Sequence, residues 1–435
     1  MSGAVWAGAA VAAITGGYAL CSRRLASTPV TSAMVFTGFG ILIGPVGLDL
    51  LDLTHDAGIV LTLVEAALTL VLFTDAMAVR RHDLRVGGFI PGRLLGFGLV
   101  LTVGAGWLLA WPLLPGLTMW ELALVGAILA PTDAALGKIA ITSPRVPALV
   151  RNGLNIESGL NDGMVLPFFV LFLAALPGTT ASQEGVSGVF WRALVLSTAV
   201  GFVVGWCGGW LLARSRTAGW ATPGWSQVFV LAVALGAYMA TVAWDGSGFI
   251  AAWVAGFAFA LALRRSTPSP QGPPVHEAAD FVEKCGELLA AASFLVFGAV
   301  LLGPALQHLS WRIVLYAVLS LTVVRMLPVA LSLARSGLRP PTVLYIGWFG
   351  PRGLASIVFG LLVVEEHVPG VVLLGHVVAV TVGLSIVLHG LSALSFADRY
   401  GAWHQAASAT ARLREGDPAV AAPPRRRGAL DEPGP

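Results

Sequence analysis

Apolar stretches of helix-spanning length recur along this chain from Ala4 to about Phe396, separated by short polar or basic segments. A bilayer core is crossed by roughly 20 consecutive apolar residues in helical form. On that pattern the sequence predicts about thirteen spans, over 4–21, 29–47, 57–79, 94–114, 118–140, 153–176, 190–213, 226–244, 247–264, 285–303, 311–334, 342–365 and 371–396. The runs are too long and too continuously apolar for barrel strands, which would alternate. The expected fold class is therefore an all-α polytopic membrane protein. The first stretch is long enough to span and is followed by Arg23-Arg24, so it reads as a retained helix rather than a cleaved signal.

Charge adds an orientation. The odd-numbered loops carry Arg23 and Arg24; Arg80, Arg81, Arg85 and Arg93; Arg145 and Arg151; Arg214 and Arg216; Arg264, Arg265 and Lys284; Arg335 and Arg339. The even-numbered loops hold almost none beyond Arg192 and Arg312 at span starts. Basic loops stay in the cytoplasm, so the N-terminus is expected outside and the C-terminus inside, as an odd number of spans requires. Composition agrees: the 435 residues are 56% hydrophobic and 11% charged, against about a quarter charged in soluble domains. The pI of about 9.0 is explained by the loop arginines, so no nucleic-acid partner is implied. Cys21, Cys207 and Cys285 have no metal-ligand spacing and read as small buried hydrophobes. The transmembrane domain is expected over 1–402. The loop 266–283, with Pro268-Ser269-Pro270, is expected to link two halves loosely. Residues 403–435 read as a disordered cytoplasmic tail, either inert or touching anionic lipid through Arg425-Arg426-Arg427.

Two spans break the apolar pattern. The fifth is interrupted by Ala130-Pro131-Thr132-Asp133 and the twelfth by Gly350-Pro351-Arg352-Gly353. They lie seven spans apart and so run in opposite directions, as an inverted repeat demands: spans one to six matched by eight to thirteen, with seven as connector. Paired broken helices at corresponding positions are the best sequence pointer to a transporter's binding site, because irregular backbone at membrane depth persists only where protein or a wet cavity satisfies it.

Polar residues gather around these breaks. Ser158 and Asp162, four apart on the sixth span, share one helix face and offer a hydroxyl and a carboxylate. Such hard oxygens suit a cation; with one dominant carboxylate, a monovalent ion is favoured. Asn161 points about a third of a turn away and can hydrogen-bond the broken helix opposite. Thr132 and Asp133 can offer carbonyls, a hydroxyl and a carboxylate where Pro131 unwinds the chain, or Asp133 can cap the second half-helix. The two readings are compatible, with Thr132 the better ion contact. Arg352 must be paired if buried, and Glu157 is its best-placed partner on repeat symmetry. Arg325 also needs a partner, with Glu287 one candidate. Asp75 is either an interfacial partner of Arg80 or Arg81 or part of the ion site; Glu65 lines an entrance or pairs with another span. His376 and His389 either titrate near neutrality or hydrogen-bond within the packing.

Ala130-Pro131-Thr132-Asp133, Glu157-Ser158-Gly159-Leu160-Asn161-Asp162 and Gly350-Pro351-Arg352-Gly353-Leu354-Ala355-Ser356, taken together, resemble the bacterial cation:proton antiporters of the NhaP and sodium/proton exchanger type. Weaker agreement comes from Leu72-Phe73-Thr74-Asp75-Ala76 and His389-Gly390. The resemblance spans essentially 1–400. It implies the antiporter fold of inverted six-helix repeats with two broken crossing helices, a homodimer in the cytoplasmic membrane, a role in pH homeostasis and no cofactor. It also implies elevator-like movement of a core (about 94–176 and 311–396) against a dimer or scaffold part (about 4–79 and 226–303), joined by a linker helix (about 190–213). The family's ion-binding carboxylate falls on Asp162, its serine ligand on Ser158, its unwound threonine on Thr132, and its structural acid–arginine pair on Glu157 and Arg352. Its third-span acid falls on Asp75, with Glu65 nearby. Ala134 stands where many relatives have Pro. Asn161 before the key aspartate matches the electroneutral members.

The expected chemistry follows. A buried carboxylate holds a proton or a small cation, not both, and that exclusion couples two ion flows. The protein is expected to exchange Na+, or K+ or Li+, for H+ in a one-to-one ratio, and not to be an enzyme. A cation channel would need a continuous pore. A sodium-coupled organic anion transporter on a related fold would take up labelled solute. An intramembrane aspartyl protease would need a Gly-x-Gly-Asp setting that the sequence lacks.

Overall fold

The computed structural model describes residues 2–25, 28–50, 57–79, 88–133, 136–177, 185–266, 275–365, 370–410 and 413–416. Among these residues the secondary structure is entirely helical. In chain order the helices are α1 Ser2–Leu25, α2 Ser32–Ile43, α3 Ala57–Ala78, α4 Phe89–Leu113, α5 Met119–Ile128, α6 Lys138–Thr142, α7 Ala148–Ala174, α8 Val186–Thr217, α9 Pro223–Val242, α10 Gly248–Ser266, α11 Glu277–Gln307, α12 Trp311–Ser332, α13 Pro340–Trp348, α14 Leu354–Glu365 and α15 Val371–Thr410. Each expected span falls on one helix or on a broken pair. Among the described residues nine helices are long and apolar enough to cross a bilayer. Exposed tryptophans stand near helix ends at Trp111, Trp191, Trp225, Trp244 and Trp311, where amphipathic rings suit the membrane–water boundary.

Helix starts follow local chemistry. Thr31 caps α2 by accepting the Met34 N–H, and Ser310 caps α12 by accepting that of Ile313. Thr118 and Glu121 form a capping box at α5, and the buried Glu121 also accepts the Gly370 N–H at 2.5 Å. One carboxylate thus ties the start of α5 to the chain entering α15.

The longest-running helix contact pairs α8 with α10. Gly201, Gly205 and Gly209 face Ala251, Ala255 and Phe259 so closely that a Cβ at any of them would overlap the α10 backbone. Small residues at a four-residue spacing bring helix backbones together where water supplies no hydrophobic drive. The helices α3, α9, α10 and α11 pack on one another, and α2 joins them through α11. The helices α4, α5 and α7, and likewise α12, α13, α14 and α15, pack around the two breaks. The largest apolar core runs through both sets, from Val64 and Leu68 on α3 to Val358 on α14 and Val378 on α15.

Three boundaries differ from the sequence reading. The tenth helix begins well before 285, because Ala278, Ala279 and Val282 bury an apolar face that its flanking charges hide from a hydropathy window. The eleventh is distorted at Thr322, whose φ and ψ are −106° and −82°. The last helix runs through Thr410 and is followed by a turn at Arg414–Gly416 with Leu413 and Glu415 buried. Residues 403–410 and 413–416 are therefore ordered rather than disordered tail: Tyr400 is buried and Asp398 meets Arg145 at 2.5 Å, so packing carries the helix on after its apolar run ends. Arg425-Arg426-Arg427 lies outside the described residues, as does the Pro268-Ser269-Pro270 segment.

Candidate functional site

The two broken segments meet. α5 ends at Ile128, and Pro131, Thr132 and Asp133 lie outside any helix before α6; α13 ends at Trp348 and the chain is non-helical until α14 starts at Leu354. The backbone groups each break releases are taken up by the other. Asp133 N–H donates to the Pro351 carbonyl at 2.8 Å. Its carboxylate accepts the Leu354 N–H at 3.1 Å, so Asp133 caps α14 across the crossing. Ser356 donates to the Ile128 carbonyl at 2.6 Å. Arg352, fully buried, donates to the carbonyls of Ala130 and of Pro131, the latter at 3.1 Å. A guanidinium thus sits on the carbonyl end of α5, where the helix dipole is negative. Gly353 is required here, since a Cβ would overlap the Asp133 carboxylate.

α7 lies beside the crossing. Ser158 donates to the Thr132 carbonyl at 2.6 Å, and the Asn161 amide donates to the Thr132 hydroxyl at 2.6 Å. Residues three apart on a helix are neighbours, so both grip the one unwound residue. With its proton spent on Thr132, the Ser158 oxygen keeps lone pairs for another partner. Asp162 follows on the same helix. Among the described residues its buried Oδ1 has no hydrogen-bond partner, and neither has the buried Oδ1 of Asn161. Buried acceptors are nearly always satisfied. Asp162 and Asn161 thus each leave one acceptor oxygen open on the helix beside the crossing, and the open Asp162 carboxylate oxygen, one turn from the Ser158 hydroxyl, suits something cationic or protonated.

A family model for the transmembrane sodium/hydrogen exchanger matches residues 10–397. The chain belongs to the sodium/hydrogen exchanger family. It is 28% identical over 367 residues to the K(+)/H(+) antiporter NhaP of Alkalimonas amylolytica, covering 82% of this chain and 60% of that one. It is 27% identical over 398 residues to the K(+)/H(+) antiporter NhaP2 of Shewanella sp. (strain MR-4), covering 88% and 65%. The chain thus spans under two thirds of the length of these curated relatives. In fold it matches the sodium proton antiporter MjNhaP1 of Methanocaldococcus jannaschii with a TM-score of 0.73, at 18% identity, over 92% of this chain and 99% of that one. This family member is a multi-pass membrane protein.

Within this exchanger-family fold, the acid–arginine pairing differs from the sequence reading. Glu157 is held by Arg325, not Arg352, in a two-pronged pair at 2.6 and 2.9 Å with both side chains buried. Arg325 reaches Glu157 by passing over Gly350, where a Cβ would strike its guanidinium. Arg352 is committed instead to main-chain carbonyls, partners that no side-chain inventory reveals. Glu287 is likewise not the partner of Arg325; it meets Lys138 at 3.4 Å and Lys284 at 3.5 Å on an exposed surface. Asp75, half-buried on α3, places its carboxylate against Gly159 of α7, within one turn of Asp162. Arg80 and Arg81, its alternative partners, lie outside the described residues. Glu65 is half-buried on α3, two to three turns from Asp75. His389 is buried and hydrogen-bonded: Nδ1 faces Ser385 at 3.1 Å and Nε2 faces the Trp348 carbonyl at 3.0 Å. Ser385 also accepts the Arg352 N–H at 2.7 Å, so α15 splints both ends of the α13–α14 break. His376 instead stacks on His308, ring centres 5.5 Å apart.

Sequence reasoning missed Ser356, Ser385 and Trp253. The Trp253 ring of α10 lies over Gly163, beside Asp162, and any side chain at 163 would overlap it. The only hint of Ser356 was its place in the Gly350–Ser356 motif; nothing local marked the other two.

Proposed function

We propose that this protein exchanges one monovalent cation for one proton across the cytoplasmic membrane, with Asp162 holding either ion in turn. The observation that carries the reading is the pair of buried, unpartnered oxygens on Asp162 and Asn161, set where two broken helices cross. The names of its relatives support antiport as the class. Ser158 and Thr132 complete the cation's oxygen shell, and Asp75 draws cations toward it from α3. Asp133 orders the crossing through its bond to Leu354.

A cation bound at Asp162 favours the charged carboxylate and expels the proton. Either loaded form is neutral at the site. An empty, ionised Asp162 would have to cross the dry barrier at a cost of several kcal/mol, which suppresses leak. With Asn at 161, one carboxylate moves one charge in each direction, so the exchange is electroneutral. The moving core comprises about 94–176 and 311–396, and the scaffold about 4–79 and 226–303. The scaffold forms a homodimer, with the N-terminus outside and the C-terminus in the cytoplasm.

Sodium is the first choice of cation on the motif resemblance. Potassium is the second reading, favoured by the K(+)/H(+) names of the sequence relatives. Everted vesicles carrying a fluorescent proton probe test all of this. Adding Na+, K+ or Li+ in turn should collapse an acid interior for the transported ion, at a rate unaffected by an imposed voltage. Asp162→Asn should abolish the response while the protein still inserts; a full response from that variant would overturn the reading.

A further inference from the structure

Residues 413–416, after the end of α15, lie against the start of α13. Leu413 and Glu415 are buried and Arg414 stands over the Phe89 ring at 4.3 Å while donating to the Ser336 carbonyl. Glu415 Oε1 accepts two hydrogen bonds: from the Arg339 N–H at 2.9 Å and from the Thr342 hydroxyl at 2.7 Å. Since Thr342 donates to Glu415, it accepts from the Tyr400 hydroxyl, 3.0 Å away on α15. Arg339 is the residue that caps α13, and Pro340 and Pro341 follow it without N–H groups. The one N–H available at that boundary is therefore given to Glu415, and the carboxylate faces the positive end of the helix dipole.

α13 is short. Its nine residues make a rod of about 13 Å at 1.5 Å per residue. At its far end Trp348 is held by the same α15: its carbonyl meets His389 and its indole donates to Ser392 at 2.9 Å. Directly after Trp348 comes the break that supplies Pro351 to Asp133 and Arg352 to Ala130 and Pro131. A short helix clamped at both ends has no freedom to slide along its axis without moving that break.

We propose that Glu415 is a positioning residue for the ion site: it closes a return turn onto the start of α13 and thereby sets where the Phe349–Gly353 break sits against Thr132 and Asp133. The transport consequence rests on the antiport reading above; the structural consequence does not.

Two measurements on the full chain separate them. In hydrogen–deuterium exchange, Glu415→Ala should speed uptake not only across 339–345 but also across 345–356, because amide protection reports local opening. Glu415→Gln, whose amide oxygen still accepts both bonds but which gives up the charge facing the helix end, should be less affected than Glu415→Ala. In vesicles, Glu415→Ala should raise the half-saturating cation concentration by roughly threefold or more with a smaller change in maximal rate, and Glu415→Gln should raise it less. Unchanged uptake across 345–356 in Glu415→Ala, or equal damage from both substitutions, would overturn the proposal. If the alanine variant does not accumulate, Thr342→Val removes one of the two bonds and supports the same comparison. A wild-type protein that moves no protons with any cation would sink the antiport reading, while the deuterium data would still decide the role of Glu415.

Discussion

Asp162 and Arg325 illustrate opposite fates for a charge held among apolar helices. Among the described residues, Asp162 keeps a buried oxygen without a partner, whereas Arg325 gives two hydrogen bonds to Glu157. The first arrangement leaves a group ready to exchange its guest; the second fixes architecture. Breaking a buried pair by removing one member strands the other charge, at a cost of about 3–5 kcal/mol. Arg325→Met should therefore lower the thermal unfolding midpoint in detergent markedly, and adding Glu157→Gln should recover much of the loss. A double variant no more stable than Arg325→Met alone would mean that the pair is not what Arg325 contributes.

The breaks in the fifth and twelfth spans are usable only because each repairs the other. The end of α5 and the unwound stretch after it offer carbonyls that Ser356, Arg352 and Ser158 take up, and the start of α14 offers an N–H that Asp133 accepts. Unsatisfied backbone groups at membrane depth would each cost several kcal/mol. Gly353 is what lets Asp133 come close enough. Gly353→Ala should displace that carboxylate, open the crossing and cut exchange at least about tenfold in vesicles, corresponding to roughly 1.4 kcal/mol. Gly104→Ala, on a face of α4 with nothing within 4 Å, should be silent. Equal effects from the two substitutions would show that the loss at 353 is generic to helix glycines and not a matter of the crossing.

Across the whole molecule, the pair Lys138–Glu287 joins α6, beside the breaks, to α11, which packs on α2 and α3. Both side chains are largely exposed, so the pair adds at most about 1 kcal/mol and does not by itself hold the two parts together. If the parts slide during transport, a covalent link there should stop it. Cysteines at 138 and 287, in a protein whose Cys21, Cys207 and Cys285 are replaced by Ser, should allow a reducible bifunctional thiol reagent to arrest exchange and a reductant to restore it. Undiminished exchange in fully linked protein would rule out relative movement at this point.

The order of the apolar helical stretches, the two breaks, and the presence of Ser158, Asn161 and Asp162 on one helix were all legible in the sequence. Hydropathy is a local property read over one helix length, proline and glycine punctuate the backbone where they stand, and residues three or four apart share a helix face whatever surrounds them. The partners emerged from the folded arrangement alone: Arg325 for Glu157, main-chain carbonyls for Arg352, Leu354 for Asp133, and the return of Glu415 to the start of α13. Two arginines competed for one glutamate, and charge counting cannot choose between them, because the choice lies in which guanidinium can pass over a glycine and which meets a helix end. Backbone carbonyls carry no residue-type signal at all, so the groups that make a break tolerable stay hidden until the chain is folded around it.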